Sequence, residues 1–187
     1  MILWDPFHGD EETANKAYIA CGKVAIHWGH LELTIEALIV LLRNRQKAPV
    51  KGPAFVDFPV SFSKKRNEVK DRMKADPIFQ DMAPRVIAML SEAAQLHDVR
   101  VTITHSVCQG VLLNGKLMFT HSDQKRGIAA TSKTLTFKRI NDAALRMRTL
   151  QKELSDVHVE MTRRWRAPGA PPYVPASPRA DSKPSVG

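Results

Sequence analysis

Cysteine is nearly absent from this chain of 187 residues: Cys21 and Cys108 are the only two. They make neither a disulfide framework nor a C-x-x-C metal knuckle. Reduced thiols and a cytosolic protein are expected. Long apolar runs are missing as well. The longest, Leu38 to Leu42, falls far short of the roughly 18 residues of a spanning segment. The opening Met1-Ile2-Leu3-Trp4-Asp5-Pro6 lacks the basic start and apolar run of a signal peptide, so no membrane is expected. Acidic residues are in short supply, 19 against 28 Lys and Arg, which leaves a formal net charge of +9. A surplus of that size attracts polyanions through counterion release, and nucleic acid becomes a leading partner. The alternative is a basic surface that serves solubility only. No internal repeat is visible.

What is present is ordinary for a globular domain. Hydrophobic residues make up 43% and charged residues 25%, and the length suits one domain with a core, or a domain plus a tail. Residues 1–9 read as an arm whose Trp4 and Phe7 tuck onto the body. Asp10, followed by Glu11 and Glu12, makes a good helix start: a capping side chain, then acids at the positive end of the dipole. Ala17, Cys21, Val24, Trp28, Leu31, Ile35, Leu38 and Leu42 follow in steps of three and four, which predicts one helix of about 35 residues. Arg43, Arg45 and Lys47 suit its last turn, and Pro49 ends it.

Pro49, Gly52, Pro53 and Pro59 mark a loop over 48–60. Ser61 or Ser63 can cap a short basic helix with Lys64, Lys65, Arg66, Lys70, Arg72 and Lys74, expected on the surface. Asp76-Pro77 breaks the chain. A second long helix is expected from about Phe79 to His105, on the stripe Met82, Val86, Met89, Leu90, Ala93 and Leu96. Pro84 is tolerable there only in the first turn. Beyond Asp98 the β-branched run Val99, Val101, Thr102, Ile103, Thr104 argues for an earlier end. Propensity and periodicity conflict at this point.

Asn114-Gly115 between two apolar runs signals a hairpin, because both central residues of a type I′ turn need positive φ. Lys133 to Phe137 is a candidate third strand. Ile140, Ala144, Met147, Leu150, Leu154, Val157, Met161 and Trp165 then draw a third long helix, with Thr136 or Asn141 as its cap. From Arg166 onward six of the twelve prolines gather in a tail expected to be disordered. The fold class expected is therefore mainly α: an antiparallel bundle of three long helices and one short one, with a β-hairpin inserted at about 107–137 before the last helix. Small residues Gly22, Ala25 and Gly29 on the first helix suggest a homodimer.

Arg100 and His105 are the candidate catalytic pair. A histidine can take or give a proton, and a permanently charged guanidinium can clamp a phosphate. Positions five apart on a regular helix are about 140° apart, so the pair meets only if the helix ends or bends there, or if Arg100 reaches. His97 and Thr104 share the face of Arg100. Glu32 borders an apolar seam and needs a cationic partner. Lys64, Lys65 and Arg66 are either a nucleic-acid-binding patch or a solvated helix face. His27 and His30 lie three apart, but no third metal ligand is suggested nearby, and neither a metal nor a cofactor is expected.

The order of these features resembles the HEPN domain (higher-eukaryote and prokaryote nucleotide-binding fold). The chain shows Trp28-x-x-Leu31-Glu32 on a long helix, then Lys64 and Lys65. A helix follows that ends in Leu96-x-x-x-Arg100-x-x-x-x-His105, and a hairpin and last helix complete the order. The resemblance covers residues 10–165 in outline, and its specific motif is the Arg, four residues, His element. It implies a metal-independent endoribonuclease that acts as a dimer. In it Arg100 would bind the scissile phosphate, His105 would transfer protons, and the RNA 2′-hydroxyl would attack. It also implies RNA as substrate, a toxin or defence role, and an antitoxin or other protein as a further partner. Val101 stands where the family usually has a polar residue, and some of its members only bind. A non-catalytic module that binds nucleic acid or protein is the alternative reading, and an all-α scaffold is a third.

Overall fold

The computed structural model describes residues 7, 10–46, 58–123 and 128–170, with backbone alone at 122–123 and 128–130. The protein is mainly helical, with four α-helices and a small three-stranded antiparallel sheet. The first helix, α1, runs Glu11–Arg45. Asp10 caps it by accepting from the Thr13 backbone N–H at 3.0 Å. Seven of the eight stripe positions are buried, and Cys21 is half-buried. By length and composition α1 could also cross a membrane, although its stripe is packed into the protein core.

The second helix, α2, spans Phe62–Ala75 and is capped by Ser61, which accepts from the Lys64 N–H. It is not confined to the surface: Phe62, Lys65, Val69 and Met73, in steps of three and four, are buried. A 3-10 turn over Pro77–Phe79 follows. The third helix, α3, spans Ala83–His105 and carries Pro84 in its first turn, where no backbone donor is missed. Burial resolves the conflict at its far end. Leu96, Val99 and Thr102 are all at least nine-tenths buried, so packing holds the β-branched run helical. Thr102 and Thr104 donate their hydroxyls to the carbonyls four residues back, Asp98 and Arg100, each at 2.9 Å.

Strand β1 (Val107–Val111) starts one residue after α3, with Ser106 already extended. Strand β2 (Lys116–Asp123) returns through the Asn114-Gly115 turn, where Gly115 has φ 73°. The expected hairpin gains a full third strand. β3 (Ile128–Thr136) pairs with β2 along its length, and Phe137 opens the next helix instead of closing the strand. The last helix, α4, runs Phe137–Arg166, and Thr136 caps it through the Arg139 N–H at 3.0 Å.

α4 packs most extensively on α1. α3 lies against α4, α2 and α1, and β2 contacts α3. Fully buried Leu31, Ile35, Leu38 and Leu42 of α1 meet Ile140, Met147, Leu150 and Leu154 of α4 in one continuous core. Each such side chain contributes about 1.5–3 kcal/mol. Trp4, Lys47, most of the 48–60 loop and the tail beyond Ala170 lie outside the described residues. Phe7 is buried against Tyr18, edge to face at 5.8 Å.

Candidate functional site

The end of α3 brings the predicted pair together. Arg100 Nη1 lies 2.9 Å from His105 Nε2. His105 is the last helical residue, and the arginine side chain spans the angular offset that a regular helix imposes. A guanidinium has no acceptor, so Arg100 donates and the Nε2 lone pair accepts; the ring proton is then on Nδ1. Arg100 makes no ion pair with a carboxylate among the described residues, and its remaining N–H groups are unused there. Both side chains reach the surface, Arg100 half-buried and His105 exposed.

The supporting residues fall into two groups. His97 packs inward, stacked on Phe62 at 5.1 Å and tilted against Trp28 at 5.0 Å. Burial pushes its imidazole below the ordinary value, and Arg100 pushes it the same way. His97 thus anchors α3 on α1 and α2 from the turn before Arg100. Thr104 gives its hydroxyl proton to the Arg100 carbonyl, which leaves it no donor for a substrate. Glu32 takes Trp28 Nε1 at 3.0 Å and Lys65 Nζ at 2.8 Å. Its partners are therefore the indole and a cation of α2, and not Arg100.

That contact corrects the reading of the basic run. Lys65 is 6% exposed and sits between Glu32 and Glu36. It belongs to the buried row Phe62, Lys65, Val69, Met73, and its ammonium is spent on two carboxylates. It cannot present charge to a nucleic acid. Lys64 is exposed, and Arg66 lies half-buried in a groove with Lys70, Ile87 and Ser91. Other cations are paired as well. Arg43 and Arg72 meet on Glu68, Arg45 lies against buried Asp76, and Arg146 bridges Glu92 and Glu153. These pairs consume acids as well as bases, so the net charge of +9 rests on cations outside them.

Two groups at this end of the molecule are not evident from the sequence run itself. His121 lies on β2 and its Nδ1 is 2.7 Å from the His105 carbonyl oxygen. A carbonyl can only accept, so His121 Nδ1 carries a proton and donates. Lys133 lies on β3, opposite Phe119. Strand parity was the available signal. Residues 117, 119 and 121 share one sheet face, and the register sets Leu135, Lys133 and Thr131 against them. That face is apolar at Leu117 and polar where it passes the end of α3. Among the described residues no group of three metal-ligating side chains gathers.

Compared with known proteins, the chain matches no family model, no curated protein and no solved structure.

Proposed function

We propose that this protein is a HEPN-like, metal-independent endoribonuclease of the toxin or defence class. Its helices would form an antiparallel bundle, and it would act in the cytosol as a homodimer. The observation that carries the reading is the 2.9 Å contact between Arg100 and His105, two residues suited to phosphodiester chemistry. In this reading a phosphate oxygen competes for the guanidinium N–H and binds Arg100. His105 Nε2, released from Arg100, then takes part in proton transfer. The RNA 2′-oxygen attacks phosphorus and leaves a 2′,3′-cyclic end. With Lys65 spent on carboxylates, exposed Lys64 and half-buried Arg66 are the members of the Lys64-Lys65-Arg66 run that could guide RNA. An antitoxin or another protein would be a regulatory partner.

The homodimer draws on a different observation. Ile19, Ile26, Leu33 and Val40 recur every seven residues on the outer side of α1, and all are exposed. Added Cβ atoms at Gly22 and Gly29 would meet nothing within 4 Å, so a partner could approach closely there.

The test is cleavage of RNA by purified protein in EDTA, with end-group analysis for 2′,3′-cyclic phosphate. Wild type should cleave, and His105→Ala should not while remaining folded. A second reading is favoured by Val101 and by the occupied Nε2 of His105: a non-catalytic HEPN-like module that binds nucleic acid or protein. Salt-sensitive RNA binding without cleavage is its signature.

A further inference from the structure

Between the end of α3 and the inner face of the sheet lies a cleft of about 140 Å³. Thr102 and Ser106 form one wall, and Phe119, His121, Thr131 and Lys133 the other. We propose that this cleft, which adjoins the end of α3 although neither Arg100 nor His105 lines it, is a phosphate seat, and that His121 is a second proton-transfer group. The proposal rests on the endoribonuclease reading above, which assigns one histidine to a reaction that moves two protons.

The register places His121 where it can act. Val107 pairs with Thr120, so His121 lies level with Ser106, directly beside the last helical residue. Its Nδ1–H is committed to the His105 carbonyl. That bond fixes the ring and leaves Nε2 without a partner among the described residues, in a side chain that lines the cleft. Lys133 lies two residues beyond Thr131, the cross-strand partner of His121. Such diagonal neighbours stand about 7–8 Å apart at Cα, near enough for both to reach one phosphate. Beside apolar Val101 and Phe119, the lining offers a phosphate an ammonium, an imidazole and the hydroxyls of Ser106 and Thr131.

The chemistry balances with no co-reactant. One imidazole takes the proton from the 2′-hydroxyl as the 2′-oxygen bonds to phosphorus. The bond from phosphorus to the 5′-oxygen breaks, and that oxygen takes a proton from the other, protonated imidazole. The products are a 2′,3′-cyclic phosphate and a 5′-hydroxyl. Water then restores the two rings to their starting protonation.

Two variants separate proton transfer from simple positioning. In His121→Ala both the bond to His105 and the titrating nitrogen go. In His121→Asn the amide N–H can still donate to the His105 carbonyl, but no proton-transfer nitrogen remains. Cleavage should fall about 100-fold or more in both. Full activity in His121→Asn would overturn the assignment, since His121 would then be only a clasp on the helix end. Binding is read separately with a 2′-O-methyl RNA oligomer, which has phosphates but no attacking hydroxyl. It should shift the His121 Nε2 resonance in a ¹⁵N NMR spectrum. Lys133→Met should weaken its binding about tenfold and lower the salt slope by about one. If wild type cleaves nothing yet the oligomer shifts that resonance, the endoribonuclease reading fails and the phosphate seat stands. An oligomer that binds without moving it would overturn the seat.

Discussion

Arg100 donates to His105 Nε2 across five residues at 2.9 Å, and the helix ends on the histidine that receives it. The contact joins the two functional groups and also ties up the nitrogen that chemistry would need. If the pair is catalytic, His105→Ala should lower RNA cleavage by about 10²–10⁴-fold. Arg100→Lys should also impair it, because a point charge cannot hold His105 and phosphate with one planar fork. Both side chains reach the surface, so thermal melts should stay close to wild type. Cleavage that survives in His105→Ala would remove the pair from the mechanism.

Neighbouring lysines on α2 should behave in opposite ways. Lys65→Met leaves Glu32 and Glu36 facing each other without their cation, a loss expected to cost about 1–3 kcal/mol in urea unfolding. Lys64→Met should change stability by less than about 0.5 kcal/mol. RNA binding should reverse the order: the Lys64 variant binds more weakly with a salt slope lower by about one, while the folded Lys65 variant binds like wild type. A Lys65 variant that unfolds at the wild-type midpoint would argue against the buried pair.

α1 and α4 were legible because their apolar positions recur in threes and fours over seven steps, which a soluble loop does not do, and α3 carries a shorter stripe of six positions. The end of α3 at His105 was expected, but against the propensities of its own residues. Val99 and Thr102 favour strand by propensity, and only the tertiary burial of Leu96, Val99 and Thr102 keeps them helical. Lys65 was misassigned for a related reason. It sits on the row Phe62, Lys65, Val69, Met73, and a basic run hides that its members point different ways. His121 required a register: its approach to His105 follows from the Val107–Thr120 pairing, a contact between strands that no local spacing encodes.

Half-buried imidazoles give the protein an acid weakness above the carboxylate range. Burial, then Arg100, holds His97 below its ordinary value, and burial lowers His27 and His158 too. Between the folded value and about 6.5 the unfolded chain takes up protons that the folded chain refuses, so stability falls as pH drops through that window. Asp81 and Glu92, held low by bonds from Arg164 and Arg146, lose their contribution only in more acid solution. Urea midpoints should therefore decline from pH 7.5 to 5.5. His97→Phe, which keeps a ring between Phe62 and Trp28, should flatten part of that decline. An equal slope in the variant would show that His97 does not contribute.

The outer side of α1 predicts the state of assembly. A seven-residue repeat drifts only about 20° per step around a helix, so Ile19, Ile26, Leu33 and Val40 form one line. Exposed Val159 of α4 joins Leu33 and Ala37 in a groove beside it. Leu33 is 62% exposed, so Leu33→Asp should hardly disturb the fold of one chain. In a self-complementary interface the same charge enters twice, facing apolar surface with no cation to meet it. Sedimentation at micromolar concentration should show a dimer for wild type and a monomer for Leu33→Asp, with matching helical circular dichroism. Cleavage lost together with dimerisation would mean that the site needs two copies. Full cleavage by the monomer would place the whole site within one chain, and a monomeric wild type would refute the interface.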